Sequence, residues 1–294
     1  MTSSTSLSFF DKMRALLEMI KFSHTVFAFP FALMGVLFAS LANQAPPTLA
    51  QIFWVCVSMV GARSAAMGLN RLIDARIDAQ NPRTATRHIP AGVVSRQQAW
   101  LFVLASTALL LLAAWMLNPL CLTLAPVALG LFVLYAYCKR FTSMAHVVLG
   151  ICLAGAPIGA WIALRGDVQW PIVALGLAVL FWVAGFDIFY ALQDLDFDRS
   201  QGLHSIPVQL GERNAILLGK IFHGLMVALL LIIPQGLALG WLYYAGIGVI
   251  SLLIAYEHQL VKPGDLSRLD AAFFNMNGYI SVTIFLFTLL DVVT

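Results

Sequence analysis

Two short stretches of this chain carry acidic residues at helical spacing. The first reads NRLIDARID and sets Asn70, Asp74 and Asp78 at i, i+4 and i+8. The second reads DIFYALQDLDFD and sets Asp187, Tyr190, Asp194 and Asp198 at i, i+3, i+7 and i+11. Steps of three and four residues return a side chain to one face of an α-helix, so each series should present its carboxylates as a stripe. Asp196 lies roughly 200° around from Asp194 at about 100° per residue and is expected to point away. Carboxylates converging from two helices are costly without positive compensation, and hard divalent cations prefer oxygen ligands. Mg2+ keeps several waters and is usually held by a few carboxylates together with substrate phosphates. The expected chemistry is therefore metal-assisted handling of a diphosphate, with Asp74, Asp78, Asp194 and Asp198 as the metal ligands.

A single DxxxD is more often a solvated helix end; repetition makes the difference here. Asp74 to Asp194 and Asp78 to Asp198 are each separated by 120 residues, which also aligns Asn70 with Tyr190. Ile89-Pro90 after the first cluster is echoed by Ile206-Pro207 after the second. Lys139 and Arg140, with Arg63 and Arg71 near Asn70, would neutralise the rest of a diphosphate's charge. Arg63 stands mid-helix on the face of Asn70, seven residues earlier, and a functional charge explains it better than snorkelling. The histidines, His146 among them, and Cys56, Cys121, Cys138 and Cys152 show no ligand spacing and receive no role.

The elements that must position these residues are apolar helices. Hydrophobic residues make up 61% of the chain and charged ones 11%, against about 25% charged in soluble domains. Mean hydropathy is +0.88. About nine stretches approach the roughly 20 residues that cross a hydrocarbon core as a helix. They fall near 22–42, 49–69, 97–117, 119–138, 144–165, 170–190, 215–233, 235–256 and 272–292. The expected fold is an all-α polytopic membrane protein forming one domain over 1–294. It would comprise a polar segment at 1–20, two pseudo-repeated four-helix units at about 22–138 and 144–256, and a final helix. Pseudo-symmetry would bring the two acidic faces together. Fifteen of the 17 Lys and Arg residues fall on one side if the N-terminus is cytoplasmic, which places both acidic clusters there. No removable signal peptide is expected. The net charge of +3 adds little, and no nucleic-acid partner is expected. A cation-coupled transporter would need acids nearer the midplane and a polar path to the far side. A CDP-alcohol phosphotransferase would need one longer motif with Gly and Arg at fixed positions, which this chain lacks.

NxxxDxxxD at Asn70, Asp74 and Asp78, with DxxYxxxDxxxD at Asp187, Tyr190, Asp194 and Asp198, resembles the UbiA prenyltransferase family across essentially all nine expected spans. The segment YAYCKRFT, residues 135–142, resembles that family's basic loop after its fourth helix. EMIKFSHTVFAFPFALMG, GAPIGAWIAL and GFDIFYALQDLDFD resemble the branch whose acceptor is 1,4-dihydroxy-6-naphthoate in futalosine-route menaquinone synthesis. That branch is often grouped with the 4-hydroxybenzoate polyprenyltransferases of ubiquinone synthesis, and the chemistry of the residues does not separate the two. The resemblance implies a UbiA-type bundle in the bacterial inner membrane that transfers a polyprenyl chain from polyprenyl diphosphate to an aromatic acceptor with Mg2+. It implies contacts from Lys139 and Arg140 to the diphosphate or an acceptor carboxylate. Asp187 would orient or deprotonate the acceptor, Tyr190 would hydrogen-bond it or the diphosphate, and Arg63 would complete the catalytic group. Arg71 departs from the family, where many members carry an Asp directly after the motif Asn; one possible ligand is thereby removed.

Overall fold

The computed structural model describes residues 9–20, 28–266, 268–269 and 275–294. Among them the chain is helical, with one isolated bridge between Lys262 and Asp265 as its only extended pairing. In order, the helices are α1 (Phe9–Met19), α2 (Phe29–Asn43), α3 (Leu49–Gln80), α4 (Arg96–Leu117), α5 (Pro119–Cys138) and α6 (Ala145–Arg165). They continue as α7 (Trp170–Ala191), α8 (Leu195–Ser200), α9 (Ile206–Leu210), α10 (Glu212–Ile232), α11 (Trp241–Leu260) and α12 (Asn277–Val293). Helices α2 to α7 and α10 to α12 stand at the nine expected spans. Among the described residues, six helices are long and apolar enough to cross a membrane, with α2 and α12 as shorter apolar helices. Residues 22–27 of the first expected span and 272–274 of the last lie outside the described residues.

Helix boundaries follow local chemistry. Thr48 caps α3 by accepting from the Gln51 N–H at 3.2 Å, while the Gln51 side chain accepts from the Thr48 N–H at 2.9 Å. Ser95 and Gln98 build the same box on α4. At its far end α3 stops at Asn81 because Pro82 follows, and the residue before a proline is pushed to extended backbone. Its 32 residues span about 48 Å at 1.5 Å per residue, well beyond a hydrocarbon core of about 30 Å. The overhang carries the first acidic series clear of the lipid interior.

The second series departs from the expected continuous stripe. Helix α7 ends at Ala191, a 3-10 turn covers Leu192–Asp194, and α8 restarts at Leu195. At three residues per turn, the tightened segment advances roughly 60° further than an α-helix would over three residues. Asp187 and Tyr190 thus lie on one helix and Asp198 on another, with Asp194 at the break. The eighth span also starts later than expected. Pro234 closes α10 through a 3-10 turn, and α11 begins after Gly240. There Asp291 of α12 caps α11, accepting from the N–H groups of Gly240 at 2.5 Å and Leu242 at 3.1 Å.

Helix α7 forms the centre of the bundle. Its apolar window is 72% buried, against 17–39% for the other five long apolar helices, so the others face lipid while α7 faces protein. It packs between α6 and α10, with Trp182 against Phe31 of α2 and Phe186 at ring separations of 5.0 and 5.1 Å. Helix α3 packs on α4 much as α7 packs on α10, whereas α2 lies chiefly against α6 and α12. Close approach depends on glycine. A Cβ on Gly150 of α6 would stand 2.5 Å from the Leu180 carbonyl oxygen of α7, and one on Gly35 of α2 would overlap the Pro157 carbonyl of α6. Gly155 on the same α6 has open space around it. Gly150→Ala should therefore lower stability by about 1–3 kcal/mol through helix displacement. Gly155→Ala should leave it unchanged or raise it by up to about 1 kcal/mol. Thermal melts in detergent check the pair, and equal melting temperatures for the two variants would refute the packing argument.

Candidate active site

The overhanging end of α3 faces the break between α7 and α8 across a cavity of about 280 Å³. The ends of α5 and α6 close its sides. Five carboxylates line it, Asp74, Asp78, Asp187, Asp194 and Asp198, and so do five permanent cations, Arg63, Arg71, Arg83, Arg87 and Lys139. Three of these carboxylates, Asp74, Asp78 and Asp194, are paired bond by bond with Lys139, Arg87 and Arg83 of the same lining.

Asp74 receives Lys139 Nζ at 2.6 Å, Arg140 Nη2 at 3.0 Å and the Asn70 amide at 3.3 Å. Asp78 receives Arg87 Nη1 at 2.7 Å. Asp194 is held from the opposite wall, with Asn81 Nδ2 and Arg83 Nε each donating to Oδ1 at 2.8 Å and Arg83 Nη2 paired with Oδ2. Arg83 also donates to the Tyr190 hydroxyl at 2.9 Å while its guanidinium lies 5.1 Å above the Tyr190 ring. Burial opposes the charge on Arg83, but Asp194 and Tyr190 outweigh it and hold its pKa above the ordinary value. Asp187 lies 2.7 Å from His146 Nδ1.

The loops that supply these partners are themselves tied down. Asn81 turns the chain after α3 by accepting from the Arg83 N–H at 2.9 Å, and Thr84 Oγ1 donates to the Asp78 carbonyl at 3.0 Å. The loop after α8 is joined to the end of α5 by the His204 N–H, which donates to the Lys139 carbonyl at 2.7 Å.

All but one of the residues singled out in the sequence line this cavity: Asn70, Arg63, Arg71, Asp74, Asp78, Lys139, Asp187, Tyr190, Asp194 and Asp198. Arg140 does not. Its guanidinium bonds Ala136 and Ile73 carbonyls at 2.7 and 3.0 Å as well as Asp74, so it stitches α5 to α3 and steadies Asp74 from outside. Arg71 touches the cavity, but its Nε donates to the Met19 carbonyl at 3.3 Å, anchoring α1. Arg63 sits about 10 Å deeper along α3 than Asn70, at 1.5 Å per residue over seven residues. Asp196 is exposed and outside the lining. Asn81, Arg83, Arg87, Tyr135 and His146 belong to the site without having been singled out. Asn81 was within reach of the helical argument, since it continues Asn70, Asp74 and Asp78 at i+11.

The donor set suits a hard cation. Among the described residues no three His, Cys, Asp or Glu side chains stand ready-grouped for a metal; Asp74, Asp78 and Asp194 are drawn to separate cations. Yet Asp78 Oδ2 is buried without a hydrogen-bond partner, a cost that a divalent ion bound to it would remove. Asp194 and Asp198 would approach such an ion from the other wall.

A model of the UbiA prenyltransferase family matches residues 28–279. The 4-hydroxybenzoate octaprenyltransferase of Vibrio cholerae serotype O1 is 31% identical over 245 residues, covering 83% of this chain and 85% of that protein. The apo structure of a UbiA homologue from Aeropyrum pernix K1 has a TM-score of 0.83 at 33% identity, covering 92% of this chain and 98% of its own. A UbiA homologue from Archaeoglobus fulgidus bound to DMAPP and Mg2+ has a TM-score of 0.68 at 21% identity, covering 95% and 99%.

The orphaned oxygen of Asp78 gives a binding test. Mg2+ with inorganic pyrophosphate should stabilise the protein by about 2.7 kcal/mol at one hundred times the dissociation constant, read as a rise in melting temperature. Asp78→Asn should lose most of that rise and Asp196→Asn should keep it. A full rise in Asp78→Asn would remove Asp78 from the ligand set.

Proposed function

Because the chain belongs to the UbiA prenyltransferase family and is therefore a multi-pass membrane enzyme of prenyl transfer, we propose that it moves a polyprenyl chain from its diphosphate onto an aromatic quinone precursor. The acceptor is 1,4-dihydroxy-6-naphthoate or 4-hydroxybenzoate. The observation that carries this reading is one cavity lined by five carboxylates and five cations, three of each paired with one another, with one carboxylate oxygen buried and unbonded. Such a site accepts a metal and a diphosphate together, since the one satisfies the aspartates and the other the cations.

Asp74, Asp78, Asp194 and Asp198 would hold Mg2+. When bound, Mg2+ stabilises the charge that grows on the diphosphate as its allylic C–O bond breaks. Lys139, Arg83 and Arg87 are each within bonding distance of an aspartate in the substrate-free protein and turn to the diphosphate oxygens when it arrives. Arg63 adds positive charge deeper along the same wall. The electron-rich ring attacks the allylic carbon, a carbon-carbon bond forms and a proton leaves; Asp187 orients the acceptor or takes that proton, and Tyr190 fixes its position. A long prenyl tail exceeds the 280 Å³ cavity and extends into apolar surroundings. The distribution of Lys and Arg supports an active site on the cytoplasmic face of a bacterial inner membrane.

An assay with one prenyl diphosphate and both acceptors, read by product mass, decides the acceptor; two unmodified acceptors would sink the reading. EDTA should abolish turnover, and undiminished activity in EDTA would exclude a divalent ion. Asp74→Ala or Asp194→Ala should slow turnover roughly a hundredfold or more, the scale for losing one electrostatic element of a transition-state site. Asp196→Ala, exposed outside the cavity, should stay close to wild type, and comparable losses at Asp196 and Asp194 would contradict the assignment.

A further inference from the structure

Resting on the reading of Asp187 as the group that meets the acceptor, we propose that His146 is its positioning residue. His146 occupies the first turn of α6 and is 4% exposed. Its Nδ1 lies 2.7 Å from Asp187 Oδ2, and its Nε2 lies 3.4 Å from the backbone nitrogen of Ile206. A backbone N–H only donates, so Nε2 must accept and the ring proton of the neutral imidazole must sit on Nδ1. The imidazole is thereby polarised in one direction, receiving from α9 and donating to Asp187.

Both ring nitrogens are committed, so His146 is no proton acceptor for the substrate. What it supplies is direction. A carboxylate pinned through Oδ2 cannot spin about its own bond, and among the described residues Oδ1 carries no hydrogen bond that would withdraw it from an acceptor hydroxyl. The Ile206 N–H is available for this because it belongs to the first turn of α9, where no preceding helical carbonyl exists to receive it. Pro207 follows and Ser205 Oγ accepts from Val208, so Ile206 contributes the donor that this short helix leaves over. The Ile206-Pro207 pair that echoes Ile89-Pro90 thus has a task in the second half: it sets the tautomer of His146.

A bond between α6 and α7 that served packing alone would leave the kinetics untouched, and kinetics therefore separate the two roles. With saturating acceptor, His146→Ala should lower kcat roughly tenfold to a hundredfold, the range for losing a hydrogen bond to a charged group, with the KM for prenyl diphosphate unchanged. His146→Asn, whose amide N–H can replace Nδ1–H, should recover most of the lost kcat. If His146→Ala melts well below the wild type, His146→Asn decides by itself: recovery of kcat supports positioning, and a loss as deep as that of Ala overturns it. Wild-type kcat in His146→Ala also overturns it. Asp187→Asn is measured in parallel. If that variant is inactive while His146→Ala is normal, only the role of His146 falls; if Asp187→Asn turns over normally, the reading of Asp187 falls and the positioning role with it.

Discussion

A carboxylate at the rim of a lipid-embedded bundle must meet a positive charge within a few ångströms, because neither water nor lipid compensates it fully there. That requirement arranges the whole functional end of this protein. Asp74 draws in Lys139 and Arg140 from the end of α5, Asp78 draws in Arg87, and Asp194 draws Arg83 and Asn81 across from the opposite wall. The chain after α3 is ordered by these bonds together with Val94, buried in an apolar cluster with residues of α1, α3 and α4, and Ile89, packed against that cluster.

The helical scaffold answers a different constraint. Its long apolar helices satisfy their backbone polar groups internally, and glycines at Gly35 and Gly150 let α2, α6 and α7 approach to backbone contact. Asn118 caps α5 while donating to the Ile162 carbonyl at 2.7 Å, which fastens the opposite end. Rigidity there lets the two acidic walls face each other at fixed separation, although α3 and α7 approach mainly through side chains and not along their lengths.

Much of this was legible in residue patterns, and the exceptions have physical causes. Apolar stretches mark the spans because lipid imposes a length, and Asn70, Asp74 and Asp78 share a face because α3 is regular through Gln80. Periodicity did not anticipate the 3-10 turn at Leu192–Asp194, where bonds from Asn81 and Arg83 hold Asp194 from outside its own helix. Nor does hydropathy distinguish α7, which faces protein, from α4 or α5, which face lipid, since both surroundings are apolar. Arg83 and Arg87 lie in an aperiodic loop where spacing carries no information about contacts. His146 was invisible for another reason: its partners, Asp187 and the Ile206 backbone, are 41 and 60 residues away in sequence.

The matched pairs around the cavity also bear on how the site empties. Asp74, Asp78 and Asp194 each have a guanidinium or ammonium tethered beside them, at an effective concentration that no dissolved ion attains. On the proposed reading, a departing diphosphate would be replaced at Lys139, Arg83 and Arg87 by carboxylates already in place, and the exposed charge would not have to be rehydrated from nothing. Release would then be an exchange of partners rather than a rupture, which would make tight capture of a highly charged head group compatible with repeated cycles. The same internal competitors would weigh against a stray inorganic anion arriving without a metal, which offers a guanidinium little that its own aspartate does not.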